Sequence, residues 1–272
     1  MPVATTRAVA FAVGRDLILA GGLTATGTSA ALFRIPIGGG RIARDGRLAH
    51  PVHDAAGVSL GGVRLVIGGG ASTQDSWVQS VIVGRSGSVV GRLPAPRADL
   101  GAGLVGSEAI VVGGGAAGAA DPRVLATRDG VHFHLIARLP VAVRYAAVAA
   151  VSGLVFVIGG NARSGDVALI QVVDVAAGTA RIVGHLAATV SHATAVVVGG
   201  RIVIAGGRHR GRAIDLIRLI DPSTFRVAAA GRLPHAMSDA AGVSVGGIGY
   251  LIGGEDTRPL ATIVAITEHV GA

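Results

Sequence analysis

Chemically versatile side chains recur at one position of six similar segments of the chain. The position holds one arginine, one tyrosine, one histidine and three aspartates, namely Arg7, Asp54, Asp99, Tyr145, His192 and Asp239. Guanidinium groups bind carboxylates, phosphates and hydroxyl-rich ligands, and a histidine exchanges protons near neutral pH. These six residues are the best candidate ligand-binding set in the sequence.

Residues near these positions extend the candidate site. Three arginines could bind an anionic or polyhydroxyl ligand: Arg7, Arg97 and Arg144. Two aromatic residues could stack on it: Tyr145 and Trp77. Two histidines could transfer protons: His53 and His192. The alternative is that polar residues simply begin strands whose ends face water, where Asp and Ser bond to adjacent backbone.

A dense basic segment, Arg208-His209-Arg210-Gly211-Arg212, adds further cationic groups. Such a segment is most often a solvated loop, and the alternative is that Arg208 and Arg210 contact an acidic partner.

Several other chemistries lack the residues they require. There is no cysteine, which excludes disulfides and a thiol nucleophile. His132 and His134 have the spacing of two metal ligands on one strand face, but the repeat places no third ligand beside them. The net charge of +8 comes with only 3% aromatic residues and no nucleic-acid motif. We therefore predict no metal, no cofactor and no nucleic-acid partner.

The elements that position these residues repeat six times. Each copy contains a glycine pair, and the first glycines of successive pairs are 45 to 47 residues apart: Gly21-Gly22, Gly68-Gly69, Gly113-Gly114, Gly159-Gly160, Gly206-Gly207 and Gly253-Gly254. A Pro or Ala stands nineteen residues before each pair: Pro2, Ala49, Pro94, Pro140, Ala187 and Pro234. A period in the mid-forties is typical of a propeller blade or a two-helix repeat.

Short apolar runs within each copy indicate strands rather than helices. The runs are rich in Val and Ile and are interrupted by glycine or polar turns. In the fifth copy we place strands at residues 193–198, 201–205, 215–220 and 225–229. Six four-stranded antiparallel units predict an all-β, six-bladed propeller forming a single domain over residues 1–272. The predicted blades are residues 2–48, 49–93, 94–139, 140–186, 187–233 and 234–272.

The sixth copy is shorter than the others. After its glycine pair we place one further strand, at residues 261–268, so we expect blade six to lack its outermost strand. Met1 stands where the other five copies have Leu. We expect either that an upstream segment of a longer parent chain supplies this strand or that another chain pairs with the open edge, unless blade six is simply three-stranded.

The repeat resembles the kelch repeat. An apolar run, a glycine pair, a variable loop, a strand ending in Asp and a Leu-Pro-x-x-Arg-like segment follow one another, and Gly91–Arg97 (GRLPAPR) is the best single match. Kelch units usually carry a Tyr and a Trp after the glycine pair. Here Phe133 and Phe225 stand at the aromatic position, and Trp77 is expected in a loop. The resemblance implies a bacterial kelch-like propeller, and such proteins are often exported, which implies an extracellular or cell-surface location.

The high apolar content does not predict a membrane protein. Half of the residues are hydrophobic and the mean hydropathy is +0.62. The most apolar window, residues 145–160, is shorter than the ~20 residues that a spanning helix needs. The apolar run Ala8–Val13 is interrupted by Arg15-Asp16, so we interpret it as a first strand rather than a signal peptide.

Two functions remain open. In a propeller the links between blades and the loops after the glycine pairs lie on one end, and both vary between copies, which is typical of a binding surface. The first function is a non-catalytic recognition module that binds a glycan or a protein through this variable face. The second is an enzyme that acts on a sugar-like or acidic small molecule at the mouth of the central channel.

Overall fold

A computed structural model describes residues 1–268 and contains six main antiparallel β-sheets, three small two-stranded sheets and no helix over that range. The innermost strand of each sheet contacts those of its two neighbours, including the first and last sheets of the chain. The chain thus forms the predicted all-β, six-bladed propeller. Residues 1–268 include no helix long and apolar enough to cross a membrane.

Blades one to three contain fifteen strands. Blade one has β1 (Val9–Val13), β2 (Asp16–Ala20), β3 (Leu23–Thr24), β4 (Gly27–Thr28), β5 (Ala31–Pro36) and β6 (Ala43–Arg47). Blade two has β7 (Ala56–Leu60), β8 (Val63–Ile67), β9 (Trp77–Val81) and β10 (Val89–Arg92). Blade three has β11 (Ala98–Val105), β12 (Glu108–Ala116), β13 (Ala119–Ala120), β14 (Arg123–Thr127) and β15 (His134–Arg138).

Blades four to six contain the other fifteen. Blade four has β16 (Ala147–Val151), β17 (Leu154–Ile158), β18 (Asn161–Ala162), β19 (Gly165–Asp166), β20 (Leu169–Asp174) and β21 (Thr179–His185). Blade five has β22 (Thr194–Val198), β23 (Arg201–Ala205), β24 (Arg208–His209), β25 (Arg212–Ala213), β26 (Leu216–Ile220) and β27 (Val227–Arg232). Blade six has β28 (Ala241–Val245), β29 (Ile248–Ile252) and β30 (Ile263–Ile266).

Each main sheet is a simple meander from the axis outwards, as in the order β1-β2-β5-β6 of blade one. Blade six has the order β28-β29-β30, so within residues 1–268 it has three strands where the other blades have four. This agrees with the strand count expected from the sequence.

The glycine pairs are required by the backbone at the blade junctions. All twelve glycines have positive φ, at 62° to 69° for the first member and 72° to 98° for the second. The second member donates its N–H to the link of the following blade, as Gly22 N does to Val52 O at 2.7 Å. A Cβ on Gly21 would lie 2.6 Å from that same carbonyl oxygen. Only glycine combines this conformation with so close an approach.

The hydrophobic core is divided into six clusters, one between each pair of adjacent sheets. The cluster between the sixth and first blades contains Leu17, Ile35, Tyr250 and Ile252. Both faces of a sheet therefore pack against neighbours, which explains why the strand sequences are apolar without alternation.

Two local details differ from the sequence prediction. Trp77 is the first residue of β9 rather than part of a loop, and its ring stacks on His50 with centroids 3.8 Å apart. The outermost strand of blade five runs from Val227 to Arg232 instead of 225–229, because Phe225 adopts a left-handed turn conformation with φ of 58°.

Candidate functional site

The six equivalent residues lie at one mouth of the central channel. In five blades the residue before each one pairs with the residue after a glycine pair, as Ser191 does with Arg208 and Ser238 with Glu255. In blade three the corresponding pair, Ala98 and Gly115, lies within β11 and β12. The links and the post-glycine loops therefore meet on the same end of the propeller.

The backbones of these residues form a closed ring of hydrogen bonds, which we call the mouth ring. Each N–H donates to the carbonyl oxygen of the equivalent residue in the preceding blade, over N···O distances of 2.9 to 3.2 Å. The bond from Arg7 N to Asp239 O, at 2.9 Å, joins blade one to blade six. The members are Arg7, Asp54, Asp99, Tyr145, His192 and Asp239.

All six members have left-handed backbone conformations, with φ between 54° and 59°. Aspartate tolerates this region better than most residues, whereas Arg7 and Tyr145 adopt it at a cost of ~1–2 kcal/mol each. Strain of this kind concentrates at functional sites. The conformation is common to all six blades and accompanies the ring of main-chain bonds.

Arg7 is the centre of the first group of side chains. It donates to Asp54 Oδ2 from Nη1 and to Glu255 Oε1 from Nη2, both at 3.3 Å. His53 approaches Asp54 from the other side, with its Nε2 3.6 Å from Asp54 Oδ2. The other ring nitrogen of His53, Nδ1, lies 3.0 Å from Thr28 Oγ1.

Arg144 is the centre of the second group. Its Nε donates to Asp99 Oδ2 at 2.6 Å, and its Nη2 donates to the Tyr145 hydroxyl at 3.3 Å. The Asp99 side chain is only 2% exposed and forms an ion pair with Arg144. The guanidinium carbon of Arg144 also lies 5.1 Å from the centre of the Tyr145 ring.

His192 connects the second group to a third group of side chains, which consists of Asp239, Arg208 and Glu255. Its ring stacks on Tyr145, and its Nδ1 lies 2.7 Å from Asp239 Oδ1. Arg208 approaches the other oxygen of Asp239 at 3.7 Å and also pairs with Glu255. Because Glu255 also binds Arg7, the polar network continues back to the first group.

A cavity of about 230 Å³ opens between the first two groups. Its charged and aromatic lining consists of Arg7, His53, Asp54, Asp99, Arg144 and Tyr145, and the loop 70–74 of blade two forms one wall. A second cavity of about 140 Å³ lies on the channel axis and is lined by all six members of the mouth ring. The channel below it is lined mainly by Ala and Gly.

The environment of Asp54 changes its protonation. Burial, together with the nearby carboxylates Asp99 and Asp239, raises the pKa of Asp54 to about 7, although Arg7 opposes this. Burial and the charge of Arg7 lower the pKa of His53. An acid that titrates near neutrality thus lies beside a neutral imidazole, which is a suitable pair for proton exchange.

Two other groups hold their usual charge state more firmly. Burial and the carboxylates Asp99 and Asp54 raise the pKa of Tyr145 to about 12. Burial acts to raise the pKa of Asp239, but the hydrogen bond and charge of His192 outweigh it, so the pKa is lowered. Tyr145 therefore stays a neutral hydrogen-bonding group and Asp239 an anion.

Four of the predicted site residues line neither cavity. Arg97 is 2% exposed and is directed into blade three, where it pairs with Asp121 and donates to Arg123 O at 3.1 Å. Trp77 stacks on His50 in blade two. Arg210 is an exposed residue at the tip of the β24–β25 hairpin. Arg208, from the same basic segment, is the fourth, and its guanidinium group lies 3.7 Å from Asp239 of the mouth ring.

Sequence reasoning did not identify Glu255, which pairs with both Arg7 and Arg208. A signal was present, because Glu255 and Arg208 occupy the same repeat position, directly after the glycine pair. Gln74, which lines the larger cavity, had no such signal. Over residues 1–268 no group of three or more His, Asp and Glu side chains is arranged to hold a metal ion.

Comparison with known proteins supports the fold alone. No protein-family model matches the chain, and no curated protein matches it by sequence. Among solved structures, the chain is similar to one described as "Structure of YjhT", with a TM-score of 0.83 and 14% sequence identity, over 99% of this chain and 97% of that one. At this level of identity the match shows a shared six-bladed β-propeller and carries nothing about activity.

Proposed function

We propose that the protein is a recognition module that binds a glycan at the channel mouth, through a sugar unit bearing an anionic group. The observation that carries the proposal is the cavity of about 230 Å³ that has two guanidinium groups in its lining, those of Arg7 and Arg144. The Gly91–Arg97 motif supports a kelch-type propeller as the scaffold.

The size and polarity of the cavity favour a sugar over a protein partner. Stable protein interfaces bury about 800 Å² on each partner and have an apolar, aromatic centre. The mouth cavity is smaller than the ~300–1,000 Å³ clefts of drug-sized ligands, and charged and polar side chains line it. Such a cavity fits a single sugar unit with several hydroxyl groups.

The charge balance favours an anionic ligand. The lining has the cations Arg7 and Arg144 and the carboxyl groups Asp54 and Asp99. When Asp54 is protonated, the cavity lining itself has two guanidinium groups and one carboxylate, and Glu255, which lies outside the lining, still pairs with Arg7. Arg7 Nε is buried without a hydrogen-bond partner, so a ligand oxygen that reached it would satisfy it.

Screening of a glycan array, followed by calorimetric titration of matched neutral and carboxylated monosaccharides, tests the proposal. We expect binding of the carboxylated sugars, and we expect Arg144→Gln to weaken it at least tenfold, the equivalent of one lost charged hydrogen bond of ~1.5–3 kcal/mol. Arg163→Gln, which changes an exposed arginine of the same face, is the matched control.

Because Arg144→Gln also removes the partner of Asp99, Tyr145→Phe serves as a second variant that leaves this ion pair intact. Absence of binding to any sugar, or sugar binding that both variants leave unchanged in a folded protein, would contradict the proposal.

A second candidate function is proton transfer to a sugar-like or acidic substrate in the same cavity. It is favoured by one observation, the contact between Asp54 and His53, which places an acid with a pKa of about 7 beside a neutral base. Following the identified sugar by proton NMR in deuterated water tests it. An enzyme is supported if the wild-type protein converts the sugar and Asp54→Asn abolishes this turnover without abolishing binding. If the spectrum of the sugar does not change, the enzymatic function is contradicted and the recognition function is retained.

A further inference from the structure

A basic groove lies at the outer rim of the propeller, where blade one meets blade two. Its volume is about 430 Å³, and its lining consists of three arginines, two glycines and a serine: Arg44, Gly46, Arg47, Gly84, Arg85 and Ser86. The first three belong to β6, the outermost strand of blade one, and the others to the turn between β9 and β10 of blade two. We call this feature the rim groove.

Main-chain contacts hold the two sides of the rim groove together. Arg47 N donates to Arg85 O at 3.1 Å, and Gly87 N donates to Arg47 O at 2.8 Å. The strand and the turn are in such close contact at Gly46 that a Cβ there would collide with Arg85 O. The backbone segments that carry the three arginines therefore have a fixed position relative to one another.

The three arginines of the rim groove have no counter-charge of their own. All three are exposed, and within residues 1–268 none of their guanidinium groups forms an ion pair or a hydrogen bond. The carboxylates Asp16 and Asp45 lie outside the lining, and both pair with Arg34. Because like charges repel one another, an anion bound between the three guanidinium groups would be stabilised.

Arg44 is an exception within the repeat. It pairs with Phe33, the third residue of β5. In the next four blades the residue at the corresponding position of the outermost strand is aliphatic: Val89, Leu135, Ile182 and Ala229. The position of Arg47, in contrast, is occupied by Arg or His in all five of these blades. The framework of the blade thus does not require the cation at position 44, and this cation completes the cluster.

Three guanidinium groups match a phosphate monoester better than a carboxylate. Near neutral pH a phosphate monoester has a charge of about −1.5 to −2 and three terminal oxygens, whereas a carboxylate has one charge and two oxygens. Arginine binds phosphate oxygens through two parallel N–H donors. The described lining contains no aromatic or apolar side chain, so it offers a nucleobase nothing to stack on. The part of the ligand that carries the phosphate is therefore polar, as in a polyol.

We propose that the rim groove binds the phosphate monoester group of a small polyol phosphate, either as a free molecule or as the headgroup of a lipid. Arg44 and Arg47 bind the phosphate from blade one, and Arg85 binds it from blade two. The exposed hydroxyl group of Ser86 donates a further hydrogen bond to it. No residue of this lining lines the mouth cavities, so the proposal is independent of the sugar site.

Titration of glycerol 3-phosphate into the protein, followed by amide NMR, tests the proposal. The buffer is free of phosphate, low in salt and at about pH 7.5, where the monoester is mostly a dianion. We expect saturable shifts of the amides of residues 44–47 and 84–87. Glycerate, which carries a carboxylate instead, should bind about fivefold more weakly or less.

Arg44→Gln and Arg85→Gln each remove one cation from the rim groove without changing a buried contact, since both side chains are exposed. We expect each variant to weaken the binding of glycerol 3-phosphate about fivefold. Arg226→Gln is the matched control, because it changes an exposed arginine in the equivalent turn of blade five. This control variant should bind like the wild-type protein.

Sedimentation with phosphatidylcholine vesicles that contain phosphatidic acid distinguishes the two sources, because this lipid carries the same glycerol 3-phosphate group. Co-sedimentation that Arg44→Gln and Arg85→Gln weaken identifies a lipid headgroup, and binding of glycerol 3-phosphate without co-sedimentation identifies a soluble ligand. Four outcomes overturn the proposal: binding of neither probe; binding that both variants leave unchanged in a folded protein; equal affinity for glycerate, which would show an unselective attraction of anions; and binding that Arg144→Gln abolishes, which would place the phosphate in the mouth cavity.

Discussion

The ring of His192 lies on the ring of Tyr145 across the boundary between blades four and five, with centroids 3.9 Å apart and an angle of 22° between their planes. His192 also binds Asp239 of blade six, so one imidazole connects three blades at the channel mouth. Side chains of three blades are therefore cross-linked at the mouth, beside the cavity.

We expect His192→Asn to destabilise the protein by about 2 kcal/mol, since it removes an aromatic stack and a hydrogen bond to a charged group. Asparagine accepts the left-handed backbone, so the mouth ring is retained. The lowered pKa of Asp239 contributes stability above its unfolded value of ~3.9 that is lost as the pH falls through the folded pKa. The difference in unfolding free energy between the wild-type protein and His192→Asn should therefore persist down to about pH 5 and shrink towards pH 3.

Urea denaturation across this pH range measures the effect, with the exposed His185→Asn as the control. A difference that stayed constant down to pH 3 would show that the Asp239 carboxylate does not depend on His192.

The strain in the mouth ring can be separated from its side-chain contacts at Tyr145. Tyr145→Val and Tyr145→Asn both remove the aromatic ring, but a β-branched residue fits a φ of 54° far less well than asparagine. We expect the free energy of unfolding of the valine variant to be ~1–2 kcal/mol lower than that of the asparagine variant. Equal stabilities would mean that the backbone ring relaxes when the side chain changes.

Arg97 should prove structural rather than ligand-binding. Arg97→Lys loses the bonds to two backbone carbonyls and disturbs the buried pair with Asp121, so we expect a loss of about 3 kcal/mol with no change in sugar affinity. The exposed Arg92→Lys is the matched control. If Arg97→Lys changed the affinity for the sugar without changing the stability, Arg97 would instead be a ligand-binding residue.

Asp54 provides a prediction about pH. Its folded pKa of about 7 lies above the unfolded value of ~3.9, so its contribution to stability is present below pH 4 and is lost as the pH rises through 7. Asp54→Asn removes this dependence. Between pH 5 and pH 8 the wild-type protein should lose on the order of 2 kcal/mol relative to the variant.

Thermal or urea unfolding at the two pH values measures this difference, and carbon-13 NMR titration of the carboxyl group gives the pKa directly. The exposed Asp256→Asn should behave like the wild-type protein. An Asp54 titration below pH 5 would contradict the predicted environment.

The fold could be predicted because its determinants are local and repeated. The glycine pairs mark a backbone conformation that few other residues adopt, and they recur at nearly constant spacing. The positions of the mouth ring followed from the same alignment of copies. Their roles as ligand contacts remain a prediction.

The direction of individual side chains was harder to predict, and Arg97 shows why. Its equivalents in the other blades are small or apolar and are all buried: Thr5, Val52, Val143, Val190 and Met237. The repeat position thus indicates an inward direction, but an arginine is buried only when a partner is available, and Asp121 lies in a loop of variable sequence. Contacts between non-equivalent loops, such as those of Glu255, depend on the assembled shape.

The mouth ring also determines how the first and last blades are joined. The bond from Arg7 N to Asp239 O joins blades one and six in the same way that the other five bonds of the mouth ring join blades that are consecutive in the chain. The glycine pair of blade six makes the usual junction bond as well, from Gly254 N to Thr5 O at 3.0 Å. Near the axis, the sixth seam is therefore built like the other five, although blade six has three strands within residues 1–268. The circle is therefore closed by the same main-chain bonds at all six seams, independently of how many strands a blade has at its rim.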